Sequence, residues 1–277
     1  MKRIIRVFPR RVMATTPCDQ WCRFDEPIFT DEADEVHVSV TWTWDLKRAE
    51  QLARAWRCVA PVSIGGPATG MRGEAFTPGM YIKHGYTFTS RGCPNHCWFC
   101  SVWRRDGDIR ELPIRDGWNV LDDNLLACSD AHIRAVFAML ARQKRKPEFT
   151  GGLEAKRLKP WHVEAMRELR AEQLFFAYDT ADYLEPLRAA GKMLLAGGFT
   201  IASHVLRCYV LAGYKGDTFS KADARMTEAY EAGFLPMAMP MRDETTGELD
   251  PTWGKWARES RPAIQAAKRK QEDAKCT

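Results

Sequence analysis

Strand-like and helical segments alternate along most of this 277-residue chain, and this alternation limits its possible folds more than any other feature. Apolar runs rich in β-branched and aromatic residues recur from residue 86 onward, and segments with helical spacing of apolar residues separate them. The predicted strands are residues 86–90, 119–121, 148–150, 174–178, 207–211 and 235–239. The predicted helices are residues 130–143, 160–170, 182–196 and 220–232. This order predicts an α/β fold of parallel strands, a partial (β/α)6 barrel whose site lies at the C-terminal ends of the strands.

Other segments flank this repeat. Residues 1–34 mix basic residues, prolines and acids without a sustained period, which predicts a partly irregular arm. Valines alternate with polar residues at 36–41, helical spacing follows at 45–56, and 61–66 has the composition of another strand, so a small strand–helix–strand unit is expected. The predicted domains are the arm with this unit at 1–80, the barrel at 81–245, and a helical tail rich in Lys and Arg at 246–277.

Three cysteines stand close together after the first predicted barrel strand. Residues 89–100 read TSRGCPNHCWFC, which places Cys93, Cys97 and Cys100 at spacings of four and three residues. The chain has nine cysteines, an odd number that favours metal ligation in a reducing compartment over a disulfide framework. Three thiolates on one loop can each bind one iron of a four-iron cluster, which leaves the last iron open to another ligand. A zinc site completed by His96, or three unrelated buried cysteines, are the alternatives.

This motif, Cys-x-x-x-Cys-x-aromatic-Cys with Phe99 at the aromatic position, resembles that of the radical S-adenosylmethionine (SAM) superfamily. The order of strands and helices over residues 81–242 is similar to that superfamily as well. The resemblance implies a 4Fe-4S cluster on the three cysteines, SAM chelating its open iron, and an electron donor such as flavodoxin or ferredoxin. It further implies reductive cleavage of SAM to a 5′-deoxyadenosyl radical, which abstracts a hydrogen from a substrate. The basic character of the chain favours a nucleobase or nucleotide as that substrate.

The resemblance also implies that SAM lies across the ends of several strands, where polar residues are candidates to bind it, together with Phe99. Asp123 belongs to the turn LDDN, which replaces the family's glycine-rich motif, and it either meets SAM or the substrate or leads the next helix. Glu154, in FTGGLEA, either accepts hydrogen bonds from the ribose diol or is a solvated residue at a helix start. Arg207 either pairs with the SAM carboxylate or belongs to a structural salt bridge.

Two further positions follow the fourth and fifth predicted strands. Gly213 opens GYKGDT, which resembles the Gly-x-x-Gly-Asp-Thr turn of cobalamin-domain and methylthiotransferase members, where it closes the strand near the adenine. Asp217 or Thr218 would cap the helix after this turn. Asp179 either faces the same cavity or caps its own following helix.

Features outside the barrel bear on the branch of the superfamily. Residues 36–66 resemble a truncated form of the Rossmann-like domain of cobalamin-dependent members, but the chain lacks an Asp-x-His-x-x-Gly motif, so cobalamin is not expected. Methylthiotransferases carry a second cluster on three N-terminal cysteines. Cys18, Cys22 and Cys58 invite that comparison, although their spacing differs. Methyl or methylthio transfer to nucleic acid is therefore an alternative function.

The formal charge of +5 and the pI near 8.7 favour anionic partners, including nucleic acid. Basic residues of the arm and tail suit a phosphate backbone, and several tryptophans offer either stacking faces or packing surfaces. These residues are Lys2, Arg3, Arg6, Arg10, Arg11, Lys268, Arg269, Lys270, Trp42, Trp44, Trp98 and Trp103. A non-catalytic nucleic-acid-binding protein with a zinc ion or a cluster is the alternative from another class.

The chain shows no sign of a membrane segment or an export signal. No apolar run approaches the roughly 18 residues that cross a bilayer. The N-terminus has basic residues but no apolar stretch with a small-residue cleavage site. A cytoplasmic protein with no membrane partner is therefore expected.

Overall fold

The computed structural model describes residues 2–29, 31–72 and 76–259. This part of the chain is α/β, with parallel strands and seven α-helices, and it divides into two units. The first unit comprises the described residues up to Gly117 together with Glu244–Gly247. The second comprises Trp118–Asp243 and the described residues from Glu248 onward. Residues 81–117, which the sequence analysis grouped with the barrel, belong to the first unit in this division.

The first unit contains a sheet of four parallel strands in the order β2-β1-β3-β4. These strands are β1 (Ile4–Val7), β2 (Cys22–Arg23), β3 (Glu35–Ser39) and β4 (Val62–Gly65), with helix α1 (Leu46–Trp56) between β3 and β4. The predicted strand–helix–strand unit is confirmed as β3, α1 and β4. Residues of α1 at helical spacing pack with strand valines in one core, which includes Ala49, Leu52, Ala53, Trp56, Val36 and Val38.

The prediction of a partly irregular arm over residues 1–34 is wrong for β1, which lies inside the sheet and pairs with both β2 and β3. Ile5, Arg6 and Val7 are all buried, so β1 lacks the alternation of apolar and polar residues that marks a half-buried strand. Arg6 can be buried because its guanidinium donates to two backbone carbonyls, at 2.9 and 2.8 Å, and pairs with Asp19.

The remainder of the first unit carries short elements. They are β5 (Tyr86–Thr87), β6 (Ser90–Arg91), α2 (Val102–Asp106) and β7 (Arg110–Glu111). The predicted strand at 86–90 is therefore divided into two short strands. β6 and β7 pair antiparallel, so they bring together the two ends of the segment between them, residues 92–109.

The second unit contains the predicted alternation of strands and helices. In chain order these are β8 (Asn119–Val120), α3 (Asp130–Ala141), β9 (Glu148–Leu153), α4 (Pro160–Glu168), β10 (Gln173–Tyr178), α5 (Leu184–Ala196), β11 (Leu206–Ala212), α6 (Phe219–Glu231), β12 (Leu235–Pro240) and α7 (Pro251–Glu259). The five strands are parallel and lie in the order β8-β9-β10-β11-β12. Over the described residues β8 and β12 do not pair, so the strands do not close into a barrel.

The two faces of this sheet differ in burial. Along β11, Leu206, Cys208, Val210 and Ala212 are buried, whereas the residues between them are half-buried. Because the strands are parallel, their C-terminal ends meet at one edge, and the loops that follow them share that edge. Only α7 represents the predicted helical tail, since residues 260–277 lie outside the described residues.

Candidate functional site

The three cysteines of the motif lie in a loop that the β6–β7 pair closes at its base. Ser90 pairs with Glu111, and the Leu112 amide donates to the Thr89 carbonyl at 2.8 Å. Gly92 begins the loop with φ +87°, and a Cβ there would stand 2.3 Å from the carbonyl oxygen of Asp108. The loop therefore requires glycine directly before its first cysteine.

Backbone and indole hydrogen bonds fix the interior of this cysteine loop, residues 92–109. The Cys93 amide donates to the Gly107 carbonyl at 3.0 Å, and the Cys100 amide donates to the Cys97 carbonyl at 3.1 Å. Trp103 Nε1 donates to the same Cys97 carbonyl at 3.0 Å. All three cysteines are half-buried, and all three are thiols rather than disulfides.

The donor set of the loop fits an iron–sulfur cluster. Thiolates are the protein ligands of such clusters, and three half-buried thiols on one short loop can each serve a different iron. The close approach at Gly92 shows that the two ends of the loop lie against each other. Among the residues that the structure describes, no group of three His, Cys, Asp or Glu side chains is arranged to hold a single metal ion, and this holds for the three cysteines of the loop as well.

Several aromatic rings of the loop pack against one another. Phe99 is half-buried and meets the Trp98 ring edge-on, with ring centroids 5.3 Å apart. His96, the fourth ligand of the zinc alternative, is exposed, and its ring lies 4.9 Å from the Trp103 ring.

Carboxylates follow neighbouring strands at the C-terminal edge of the second unit. Asp122 and Asp123 follow β8, Glu154 follows β9, Asp179 follows β10, and Asp217 belongs to the turn after β11. Of the first pair, Asp122 is 1% exposed, whereas Asp123 is half-buried. Sequence reasoning selected Asp123 and missed the more buried neighbour, because the run LDDN does not reveal which aspartate points inward.

Glu154 and the turn that holds Asp123 come together. The Glu154 side chain is 9% exposed, and its Oε2 accepts hydrogen bonds from Asn124 Nδ2 and Arg157 Nε, both at 2.7 Å. Glu154 does stand at a helix start, as the N-cap of the 3-10 helix Ala155–Arg157, but its side chain is largely buried rather than solvated. Gly151 permits this contact, because a Cβ there would stand 2.3 Å from the carbonyl oxygen of Asp122.

The GYKGDT turn is built around a buried ion pair. Asp217 accepts from the Gly213 amide at 2.9 Å and from Arg225 Nη2 at 2.7 Å, and its side chain is fully buried. Thr218 is the N-cap of α6 and accepts from the Lys221 amide at 3.3 Å. The cap is thus Thr218, and Asp217 instead joins the turn to α6 through Arg225.

Gly213 and Arg225 each show a constraint that the motif alone does not reveal. Gly213 has φ +73°, and a Cβ there would come within 2.9 Å of the Trp253 ring of α7. Arg225 was not selected from the sequence, but it stands in the apolar stripe of α6 between Ala222 and Met226. A charged residue in such a stripe signals a buried partner.

Asp179 is half-buried at the end of β10. Burial raises the pKa of its carboxyl group to about 6, although the positive charge of Arg225 opposes this rise. The expected capping role is not observed, since Thr180 holds the N-cap position of the following turn. The preceding Tyr178 donates to Glu228 at 2.7 Å.

Arg207 does not lie with the residues at the C-terminal edge. It stands near the start of β11, at the opposite end of that strand from Gly213. Its Nε donates to the His204 carbonyl at 3.2 Å, and its guanidinium lies 5.4 Å from the centroid of the Phe175 ring. The structure therefore brings Glu154 against Asn124, in the turn that holds Asp123, but separates Arg207 from this turn and from Gly213.

The basic residues near the N-terminus are mostly engaged with acids. Ion pairs join Lys2 to Glu35, Arg3 to Asp34, Arg6 to Asp19 and Arg10 to Asp45. Lys268, Arg269 and Lys270 lie outside the described residues. Within the described residues most of these side chains therefore already have an acidic partner, although that of Arg10 remains 54% exposed.

The N-terminal cysteines have different surroundings. Cys22 is buried in β2, whereas Cys18 and Cys58 are exposed. Arg11 Nη2 lies 3.3 Å from Cys18 Sγ, and Cys58 Sγ donates to the Ala55 carbonyl at 3.1 Å.

No model of a known protein family matches the chain, and no curated protein matches it. Over the described ranges, no helix combines the length and the apolar character that a membrane crossing requires. Function is therefore argued from the chemistry of the site.

Proposed function

We propose that this chain is a radical SAM enzyme whose 4Fe-4S cluster is bound by Cys93, Cys97 and Cys100. The observation that carries the proposal is the cysteine loop: three half-buried thiols at spacings of four and three residues, closed by β6 and β7 and opened by an obligatory glycine. When bound, the cluster would pass an electron from a donor such as flavodoxin or ferredoxin to SAM, which releases a 5′-deoxyadenosyl radical for hydrogen abstraction.

Residues of the chain have separate tasks in this proposal. Glu154 accepts hydrogen bonds from the SAM ribose, and Asn124 and Arg157 support this task because they hold its carboxylate in one orientation. Asp123 meets the SAM ammonium group. Phe99, half-buried beside Trp98, limits the access of water to the thiols.

The remaining parts of the proposal concern fold, substrate and location. The parallel strands of the second unit are the greater part of a partial (β/α)6 barrel, since each is followed by a helix and their ends share one edge. The substrate class is a nucleobase or nucleotide, which the net positive charge supports. A reducing cytoplasm suits the thiols of the loop. Cobalamin is not part of the proposal.

Metal analysis of the anaerobically purified and reconstituted full chain tests this proposal. We expect about four irons per chain in the unaltered protein, in line with a single four-iron cluster. Single Cys93→Ala, Cys97→Ala and Cys100→Ala variants should lose most of that iron. Cys58→Ala is the matched control, because Cys58 is an exposed cysteine of the same unit outside the loop.

Several results would contradict the proposal. Stoichiometric zinc without iron would favour the non-catalytic nucleic-acid-binding alternative. Equal iron content in all four variants would show that the cysteines of the loop do not bind the metal. S-adenosylhomocysteine as the main product from SAM would favour methyl or methylthio transfer instead.

A further inference from the structure

Two stacked tryptophans stand at the C-terminal edge of the sheet in the first unit. The Trp42 and Trp44 rings follow β3 and lie nearly parallel, with centroids 5.1 Å apart and an angle of 5° between their planes. Trp42 is 43% exposed, whereas Trp44 is half-buried. A Cβ on Gly247 would come within 2.3 Å of the Trp44 ring, so this ring rests directly on backbone. The pair is a supported aromatic platform whose exposed ring is Trp42.

The turn that carries this platform is held in place. The Asp45 amide donates to the Trp42 carbonyl at 3.0 Å, and Thr43 Oγ1 donates to the Glu244 carbonyl at 2.6 Å. Loss of side-chain freedom on binding a ligand is therefore small, because the rings are already ordered.

The strand order places this platform where open α/β sheets bind ligands. In the order β2-β1-β3-β4, the chain moves from β1 to β2 on one side and continues through β3 and β4 on the other. The direction in which strands are added thus reverses between β1 and β3. In open α/β sheets, ligands usually bind in the crevice at the C-terminal ends of the two strands where this reversal occurs. Trp42 follows β3 by three residues, and Arg10 follows β1 by three residues.

Arg10 adds a cation to the same crevice. Its Nε and Nη2 donate to the two carboxylate oxygens of Asp45 at 2.9 and 2.8 Å. The Arg10 side chain is nevertheless 54% exposed, whereas that of Asp45 is 11% exposed. Asp45 thus fixes the guanidinium beside the tryptophan turn and leaves much of it open to a second, anionic partner.

We propose that the crevice between β1 and β3 binds a nucleobase, stacked on the exposed ring of Trp42 with its phosphate near Arg10. An indole ring stacks on any base, so binding should tolerate changes of sequence. A guanidinium is well suited to phosphate oxygens. The base can belong to a single-stranded nucleic acid or to a free nucleotide. This inference does not depend on the cluster.

Fluorescence anisotropy with a labelled single strand of about 15 nucleotides tests the inference. Trp42→Ala should weaken binding about 5- to 150-fold, the effect of removing one base-stacking ring. Trp42→Phe should retain most of the affinity, since it keeps an aromatic face. Phe29→Ala is the matched control, because Phe29 is a fully exposed aromatic residue in the loop before β3, away from the C-terminal edge.

Two further ligands, a duplex of the same sequence and ATP, show whether the bound base belongs to a polynucleotide or to a free nucleotide. Their affinities are measured by calorimetry. Weaker binding of the duplex is expected, because its bases are already stacked. Tighter binding of the single strand than of ATP would assign a polynucleotide, and the reverse would assign a free nucleotide. Equal affinity of Trp42→Ala and the unaltered protein for both ligands would overturn the inference, as would an equal loss in Phe29→Ala. Iron-free protein that binds bases through Trp42 would preserve this inference while the proposed enzyme function fails.

Discussion

Steric limits at single residues explain the sequence of the cysteine loop. Gly92 combines a positive φ with a contact in which no Cβ fits, so glycine is needed for two separate reasons. The importance of the cysteines was evident from their spacing, whereas the need for Gly92 depends on Asp108, sixteen positions later. Likewise, sequence alone could not rank Asp122 against Asp123, because both follow β8 and their burial depends on tertiary packing. Nor could it exclude Arg207, because that residue's distance from the C-terminal edge depends on where β11 begins.

Gly92→Ala should therefore distort the loop and lower its metal content. A residue with a Cβ in the left-handed region costs roughly 1–2 kcal/mol, and the 2.3 Å approach to Asp108 adds a steric cost. Gly70→Ala is the control, because Gly70 has φ +71° but nothing within 4 Å of the added Cβ. The melting temperature and the iron content should both fall more in Gly92→Ala than in Gly70→Ala. Equal values in the two variants would show that the close approach has no effect.

A buried histidine makes the stability of the chain depend on pH. His162 of α4 is fully buried, and its Nδ1 accepts a hydrogen bond from the Lys159 amide at 3.1 Å. Burial, assisted by the charge of Lys159, lowers its pKa from 6.5 to about 4. Between pH 6.5 and 4 the unfolded chain therefore binds a proton that the folded chain does not, and folding becomes less favourable as the pH falls.

His162→Gln should reduce this dependence on pH. In the wild-type protein, His162 accounts for a decrease of at most about 3 kcal/mol in the free energy of unfolding between pH 7 and 4. Urea unfolding at several pH values should show a smaller loss in the variant. His84→Gln, which alters an exposed histidine, is the control. A wild-type profile in His162→Gln would mean that this imidazole does not control acid stability.

Among the secondary-structure elements, helices α3 to α6 and strands β10 to β12 were the easiest to predict, and they agree with prediction to within a few residues. The helices show apolar periodicity, whereas β10 is a short run of apolar residues that is buried on both faces. β1 was missed because a buried arginine interrupts its apolar run. β9 extends farther than predicted, because neither of its glycines ends the strand: Gly151 permits a close approach to the Asp122 backbone, and Gly152 adopts φ +120° within the strand.

The turn after β11 and helix α6 depend on one buried ion pair. Arg225→Met should destabilise the protein by about 3–5 kcal/mol, since it leaves the buried Asp217 carboxylate without its cation. Arg188→Met is the control, because its pair with Glu185 is exposed, and such pairs contribute about 1 kcal/mol or less. Urea unfolding compares the two variants. Similar small losses in both would show that Asp217 is solvated or protonated without Arg225.

At the scale of the whole molecule, the chain consists of two α/β units with different candidate chemistry. The first carries the cysteine loop and the tryptophan platform, and the second carries carboxylates at the C-terminal edge of its strands. The alternation of elements was sufficient to predict parallel strands. It could not predict that residues before 118 form their own unit, because this division depends on contacts between distant segments.

Formation of 5′-deoxyadenosine tests the central claim most directly. The reconstituted full chain is incubated anaerobically with SAM and dithionite, and the product is quantified by liquid chromatography. We expect 5′-deoxyadenosine from the unaltered protein and from Cys58→Ala, and none above background from Cys97→Ala. A protein that carries about four irons yet yields no 5′-deoxyadenosine, or equal yields from Cys97→Ala, would contradict this claim.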